Sequence, residues 1–204
     1  MSDTIESQLF TKIKKAGRGS LFFIDSFASL GNAKAVNKGL ERLVLADKLQ
    51  RVSPGIYVRP VEDALLGNVL PSIDEIAVAI SKRDKARIVP TGSYAMYKLG
   101  LTTQVPMNIV YYTDGSARKI KIGKQTITFK KASAKSVSAI GEISKLAIQA
   151  LRTIGKDKVS EEEIQKIKEV LKKEKPFHLM HDLKLAPVWI RKLISAPDTQ
   201  TRND

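Results

Sequence analysis

The chain contains no cysteine. That removes disulfides, thiol nucleophiles and cysteine-ligated zinc at one stroke, and it suits a reducing compartment, so we expect a cytoplasmic protein. Histidine is nearly as scarce, with only His178 and His181. Histidine-dependent catalysis would have to use one of that pair, and neither stands in a recognisable triad context. No run approaches the roughly 18 apolar residues of a membrane span. The first ten residues, MSDTIESQLF, lack the positive start and apolar core of a secretory signal.

Carboxylates are missing where one chemistry would need them. Thr91-Gly92-Ser93 looks like the Gly-Ser of a nucleotidyltransferase, which holds a triphosphate beside a metal-binding carboxylate pair. Residues 94–113 contain no Asp or Glu. A helix cap, from Thr91 or Ser93, is the better account of that run. His178 and His181 beside Asp182 have the spacing of two metal ligands on a helix, but a third firm ligand is absent. We therefore expect no enzyme, no metal and no cofactor.

What is present is positive charge. The 204 residues are 43% hydrophobic and 27% charged, which suits a globular chain of one or two domains. The formal net charge is +14. It divides as +5 over residues 1–60, +5 over 61–134 and +4 over 135–204, so no single tail carries it. Such a balance fits a polyanion partner, either a nucleic acid or an acidic protein.

The chain is organised around the stretch SLFFIDSFASLGNAKAVNKGLERLVLADKLQRVSPGIYVRP, which starts at Ser20. Leu21 to Phe23 reads as a short strand. Asp25 or Ser26 can cap a short helix ending at Leu30, with Gly31 as its left-handed terminus. Asn32 can cap a second helix from about Ala33 to about Asp47. Val36, Leu40, Leu43 and Val44 form one apolar stripe, while Lys34, Asn37, Lys38, Glu41 and Arg42 face away. Two strands around Ser53-Pro54-Gly55 then make a hairpin.

Helix, helix, hairpin is the plan of a winged helix-turn-helix. Its second helix fits the DNA major groove if the outward face is long, polar and positive. Lysine and arginine can grip phosphates there, and Asn37 can pair with an adenine edge. Arg51 and Arg59 would place the hairpin wing against the backbone. Arg18, in the Gly17-Arg18-Gly19 turn, can reach a phosphate or simply stay solvated. The plainer reading is a basic solvated helix used for protein contacts.

Around this stretch, residues 4–16 read as a first helix with Ile5, Leu9 and Ile13 on one face. Pro60 and Pro71 bracket a connector, and we place a domain boundary after residue 60. A helix from about Ile73 to Asp84 and a strand from Ala86 to Val89 follow. Asn108–Tyr112, Arg118–Ile122 and Thr126–Lys131 read as an antiparallel meander with one buried face. Val137 to Ile154 reads as one helix and Ser160 opens another that runs to Lys175. Pro176 should stop it. Asp182 to Ser195 holds a further short helix broken at Pro187, and residues 196–204 look disordered.

The segments GRGSLFF, LGNAKAVNKGLERLVLADKLQRVSPGIYVRP and PTGSYAMYKLGLTTQVP together resemble the AbiEi-like antitoxins of bacterial type IV toxin–antitoxin systems. Their most specific parts are the run over residues 90–106 and the wing pattern of Leu49 to Tyr57. The resemblance covers roughly residues 5–155. It implies a winged helix that represses its own operon and an α+β domain that supports repression and antagonises a nucleotidyltransferase-like toxin. It implies DNA contacts from Lys34, Asn37, Lys38, Arg42, Arg51 and Arg59, and no catalytic residue.

The expectation is thus an α+β protein: a winged helix-turn-helix over residues 1–60, then an α+β domain over 61–195 with C-terminal helices. It would be a repressor binding double-stranded operator DNA, with a homodimer implied by any palindromic site. The alternative is a partner-binding antitoxin whose winged helix is a protein-interaction module.

Overall fold

A computed structural model describes residues 4–65 and 67–196. The chain is mixed α+β and divides into two compact units, Met1–Ile80 and Ser81–Asp204. The boundary expected after residue 60 falls inside the first unit. The tail expected to be disordered lies outside the described residues from residue 197 onward.

The first unit starts with helix α1 (Ile5–Lys15), capped by Thr4, whose hydroxyl accepts from the Ser7 N–H at 3.2 Å. Leu9 and Ile13 are its buried side chains. Strand β1 (Leu21–Phe23) leads into a 3-10 segment, Ile24–Leu30. The residue at its N-cap is Phe23, which makes no side-chain cap hydrogen bond, so neither Asp25 nor Ser26 caps it. Gly31 is extended rather than left-handed, with φ 161°. Its glycine has a different reason: a Cβ there would meet Ile5 Cδ1 at 2.8 Å.

Helix α2 (Ala33–Leu45) is capped by Asn32, which accepts from the Ala35 N–H at 2.9 Å. Val36, Leu40 and Leu43 are buried with Leu9, Ile13, Phe22, Phe27, Leu49 and Tyr57 in one core. Gly39 lets α1 approach closely, since a Cβ there would fall 2.6 Å from Leu9 Cδ1. Strands β2 (Gln50–Ser53) and β3 (Ile56–Val58) form the expected hairpin, turning at Gly55 with φ 73°. Strand β1 pairs antiparallel with β3 on the other side, giving the order β1-β3-β2.

The connector after residue 60 holds structure of its own. Strands β4 (Val61–Asp63) and β5 (Gly67–Val69) form a second, wholly exposed hairpin. Helix α3 (Ile73–Arg83) follows, with Ser72 and Glu75 exchanging hydrogen bonds at its start.

In the second unit, strand β6 (Ile88–Thr91) precedes helix α4 (Ser93–Lys98). Gly92, at φ 65°, occupies the cap position without a side-chain bond, so Thr91 and Ser93 do not serve as caps. Thr91 instead belongs to the strand and bonds to Gln149 at 3.4 Å. Strands β7 (Asn108–Thr113), β8 (Arg118–Ile122) and β9 (Gln125–Lys131) complete a sheet in the order β6-β7-β9-β8.

The expected meander is therefore corrected. β8 and β9 form an antiparallel hairpin, but β9 lies between β8 and β7 and pairs parallel with β7. The pairing puts Ile127 beside Ile109 and Phe129 beside Tyr111, so four apolar side chains share one covered face. A β7–β8 pairing would have offered only the half-buried Ile120 and Ile122.

The helix expected over Val137–Ile154 is also two elements. A short 3-10 turn spans Ala134–Val137, and helix α5 (Glu142–Ile154) starts after Gly141. Helix α6 (Glu161–Leu171) has the full Ser160–Glu163 capping box. Pro176 does not merely stop a helix; it opens helix α7 (Pro176–Leu185) at the first-turn position that proline favours. Helix α8 (Val188–Ser195) follows Pro187. The core of this unit joins α4, α5, α6 and α8 through Ala95, Leu99, Leu146, Leu151, Ile167 and Ile190.

Candidate nucleic-acid interface

Helix α2 turns about 100° per residue, so its buried stripe fixes where every other side chain points. Lys34, Lys38, Glu41 and Leu45 fall on the face opposite Val36, Leu40 and Leu43, Asn37 lies on the flank beside them, and all five are exposed. Arg42 is also exposed but leans toward α1, where it pairs with Glu6 at 3.3 Å. The first turn of α2 contains no acid. The free cationic end of the helix is thus its N-terminal half, Lys34 and Lys38, with Asn37 beside them.

Arg51 is exposed on β2, opposite Tyr57 in the ladder. Arg59 has another role. Its guanidinium donates to the carbonyls of Lys14 at 3.0 Å and Ala16 at 2.6 Å, closing the C-terminal end of α1. Its backbone N–H and C=O are held by Ser20 and Gly19. A half-buried arginine so engaged is a structural clamp for the first unit. Arg18 pairs with Glu62 on β4 at 3.1 Å.

Of the seven expected DNA-contacting residues, then, all but the half-buried Arg59 lie exposed. Arg42 and Arg18 form surface ion pairs with Glu6 and Glu62, and Arg59 is engaged within the unit. A cleft of about 190 Å³ lies among Lys14, Arg18, Lys48 and Arg59. Asp47 and Glu62 also line it and offset its charge. Nothing in the local sequence marks Arg59 as a clamp; the signal is its tertiary placement against carbonyls left over at a helix end.

The histidine cluster resolves into a capping device. Asp182, on α7, is fully buried. It accepts from the backbone N–H groups of Ile140 and Gly141, both at 2.9 Å, from the Ser144 hydroxyl at 2.5 Å, and it bonds His181 Nδ1 at 2.9 Å. Glu174 accepts from the N–H groups of Ile143 at 2.7 Å and Ser144 at 3.1 Å. Two carboxylates from one segment thereby satisfy the orphan donors at the start of α5. Burial alone would push both carboxyls up in pKa. The hydrogen bonds outweigh it, and both lie below the ordinary carboxylate range. Among the described residues, no group of three or more His, Asp and Glu is placed to hold a metal ion.

A family model matches residues 8–179, spanning both units and all seven residues above. The chain belongs to the DUF6088 family. That family is described as one of unknown function, so membership brings no activity with it. No curated protein matches the chain. Among the described residues no helix of this DUF6088 protein is long and apolar enough to cross a membrane.

Proposed function

We propose that this protein is a sequence-specific DNA-binding transcriptional repressor whose first unit is a winged helix-turn-helix. One observation carries the reading. The order α1, β1, 3-10 segment, α2, β2, β3, with β1 paired to β3, buries one stripe of α2 and leaves Lys34, Asn37 and Lys38 free on the other. A major groove about 12 Å wide admits a helix so presented. Lys34 and Lys38 would grip phosphates, Asn37 would read a base edge, and Arg51 would set the wing on the backbone.

The test is a binding titration of the full chain on the DNA upstream of its gene and on random duplex, at several salt concentrations. Replacing Lys34 and Lys38 by alanine should lower the slope of log K against log salt by about 1.8, two contacts at about 0.9 each. Asn37→Ala should reduce affinity for the specific site by about 1–3 kcal/mol and leave random duplex nearly untouched. Unchanged slope and unchanged discrimination would sink the assignment.

The resemblance to AbiEi-like antitoxins extends this proposal. On that reading the second unit antagonises a partner toxin, and rescue of growth on co-expression with a toxic neighbouring gene would support it.

A further inference from the structure

The charge of the chain is spread over thirds but concentrated within one of the units. From Gly115 to Gly141 there is no Asp or Glu, while Arg118, Lys119, Lys121, Lys124, Lys130, Lys131 and Lys135 contribute seven positive charges. That is half the net charge of the protein, over β8, β9 and the 3-10 turn after them. Arg118 is set apart, because its guanidinium pairs with Asp84 and lies 5.5 Å from the Phe129 ring centroid. The six lysines are all exposed, and among the described residues none of their ammonium groups has an ion-pair partner.

Register gathers three of them on one surface. Lys119 stands opposite Thr128 and Lys121 opposite Thr126, while Thr126, Thr128 and Lys130 stand opposite Asn108, Val110 and Tyr112. Residues directly opposite one another share a face of a sheet. The other face carries Ile109, Tyr111, Ile127 and Phe129, and Tyr94 of α4 packs on Tyr111 with ring centroids 6.0 Å apart. At its β8 and β9 end the first face exposes Asn108, Lys119, Lys121 and Lys130, with Thr126 and Tyr112 half-buried and Thr128 buried between them.

The chemistry of this face selects its occupant. Protein interfaces are built on an apolar core and are depleted in lysine, whereas the exposed residues of this surface are three lysines and an asparagine. Lysine presents a point charge rather than a planar fork, which suits phosphates. Binding of single strands relies on successive aromatic platforms, and the aromatic on this face is Tyr112, half-buried. Duplex phosphates require only charge.

We propose that the lysine face of the β8–β9 hairpin is a second, sequence-independent contact with the phosphate backbone of double-stranded DNA. It deepens the DNA-binding reading above but stands on a separate unit and separate residues.

The experiment compares the full chain with the triple variant Lys119→Gln, Lys121→Gln, Lys130→Gln and with the corresponding triple Lys→Arg variant. Each is titrated on random duplex, on single-stranded DNA and on the DNA upstream of the gene. The Gln variant should lose about 2.7 from the salt slope, so that between 50 and 200 mM salt the wild type loses about 40-fold more affinity than the variant. The preference for upstream over random DNA should not change, and the Arg variant should keep the wild-type slope. An unchanged slope on random duplex in the Gln variant overturns the proposal, as does a loss confined to single-stranded DNA. If the wild type prefers its upstream DNA and the Gln slope is unchanged, only this inference fails. If the wild type shows no preference and the Gln slope falls, this inference stands and the repressor reading fails.

Discussion

Replacing Asp182 by asparagine should destabilise the second unit by about 2–4 kcal/mol. The carboxylate is fully buried and bonds four groups. Asparagine keeps one acceptor oxygen, which can serve Ile140 and His181. Its amide would then face the Gly141 N–H, donor against donor, while the Ser144 hydroxyl can turn to accept. One buried N–H left without an acceptor costs about 1–3 kcal/mol. Losing a negative charge at a helix N-terminus adds about 0.3–2 kcal/mol. Urea unfolding followed by Trp189 fluorescence would read it, since the single tryptophan packs against the core of this unit. The pH dependence gives a second reading. The folded pKa values of Asp182 and Glu174 are depressed, so in mild acid the unfolded chain binds more protons and stability rises with pH. The wild type should therefore lose stability as pH falls below about 4, the unfolded carboxylate range, and the loss should be complete below the depressed folded values. Asp182→Asn should flatten that decline. A variant with wild-type urea midpoint and the wild-type acid profile would refute the capping account.

Two further outcomes follow from the geometry. Arg59→Ala removes two hydrogen bonds to carbonyls at the end of α1 and should destabilise the first unit by about 1–3 kcal/mol; with the protein kept folded, its DNA-binding salt slope should match the wild type, and a slope lowered by about one would return Arg59 to the phosphate contacts. Gly141→Ala should lower stability by more than about 2 kcal/mol in the same unfolding assay, because a Cβ would meet Ser144 Oγ at 2.2 Å and Glu174 Oε2 at 2.6 Å.

Local signals in the sequence held at some helix ends and failed at others. Asp25, Ser26, Thr91 and Ser93 have the right chemistry but do not occupy the cap positions. Asn32, by contrast, caps the helix it precedes and Ser160 with Glu163 forms its box, because caps depend on neighbours three residues away. The Pro54-Gly55 turn and the buried stripe of α2 were legible for the same reason. Register was not. Periodicity showed that β7, β8 and β9 are strands, but nothing in their alternation says that β9 inserts beside β7. Asp182 was visible only as a candidate metal ligand, since its real partners lie about forty residues away. The β4–β5 hairpin escaped because its six residues are all exposed and show no buried face to create a pattern. Of the candidate site, the exposure of Lys34, Asn37 and Lys38 followed from the apolar stripe, whereas the engagement of Arg18, Arg42 and Arg59 depends on acids and carbonyls from other elements.

The carboxylate clamp on α5 also has a bearing on synthesis. The first unit closes on contacts made among its own residues, so it can fold while the ribosome is still adding the second. Helix α5 is different: the acceptors for its leading N–H groups are Glu174 and Asp182, translated some thirty to forty residues later. Until Glu174 has emerged that end of the helix has only water to satisfy it, and until Asp182 follows, the N–H groups of Ile140 and Gly141 still have only water. The nascent protein should therefore present a finished N-terminal unit ahead of a second unit that locks late, and a stall in translation before Asp182 would leave the second unmade while the first is already whole.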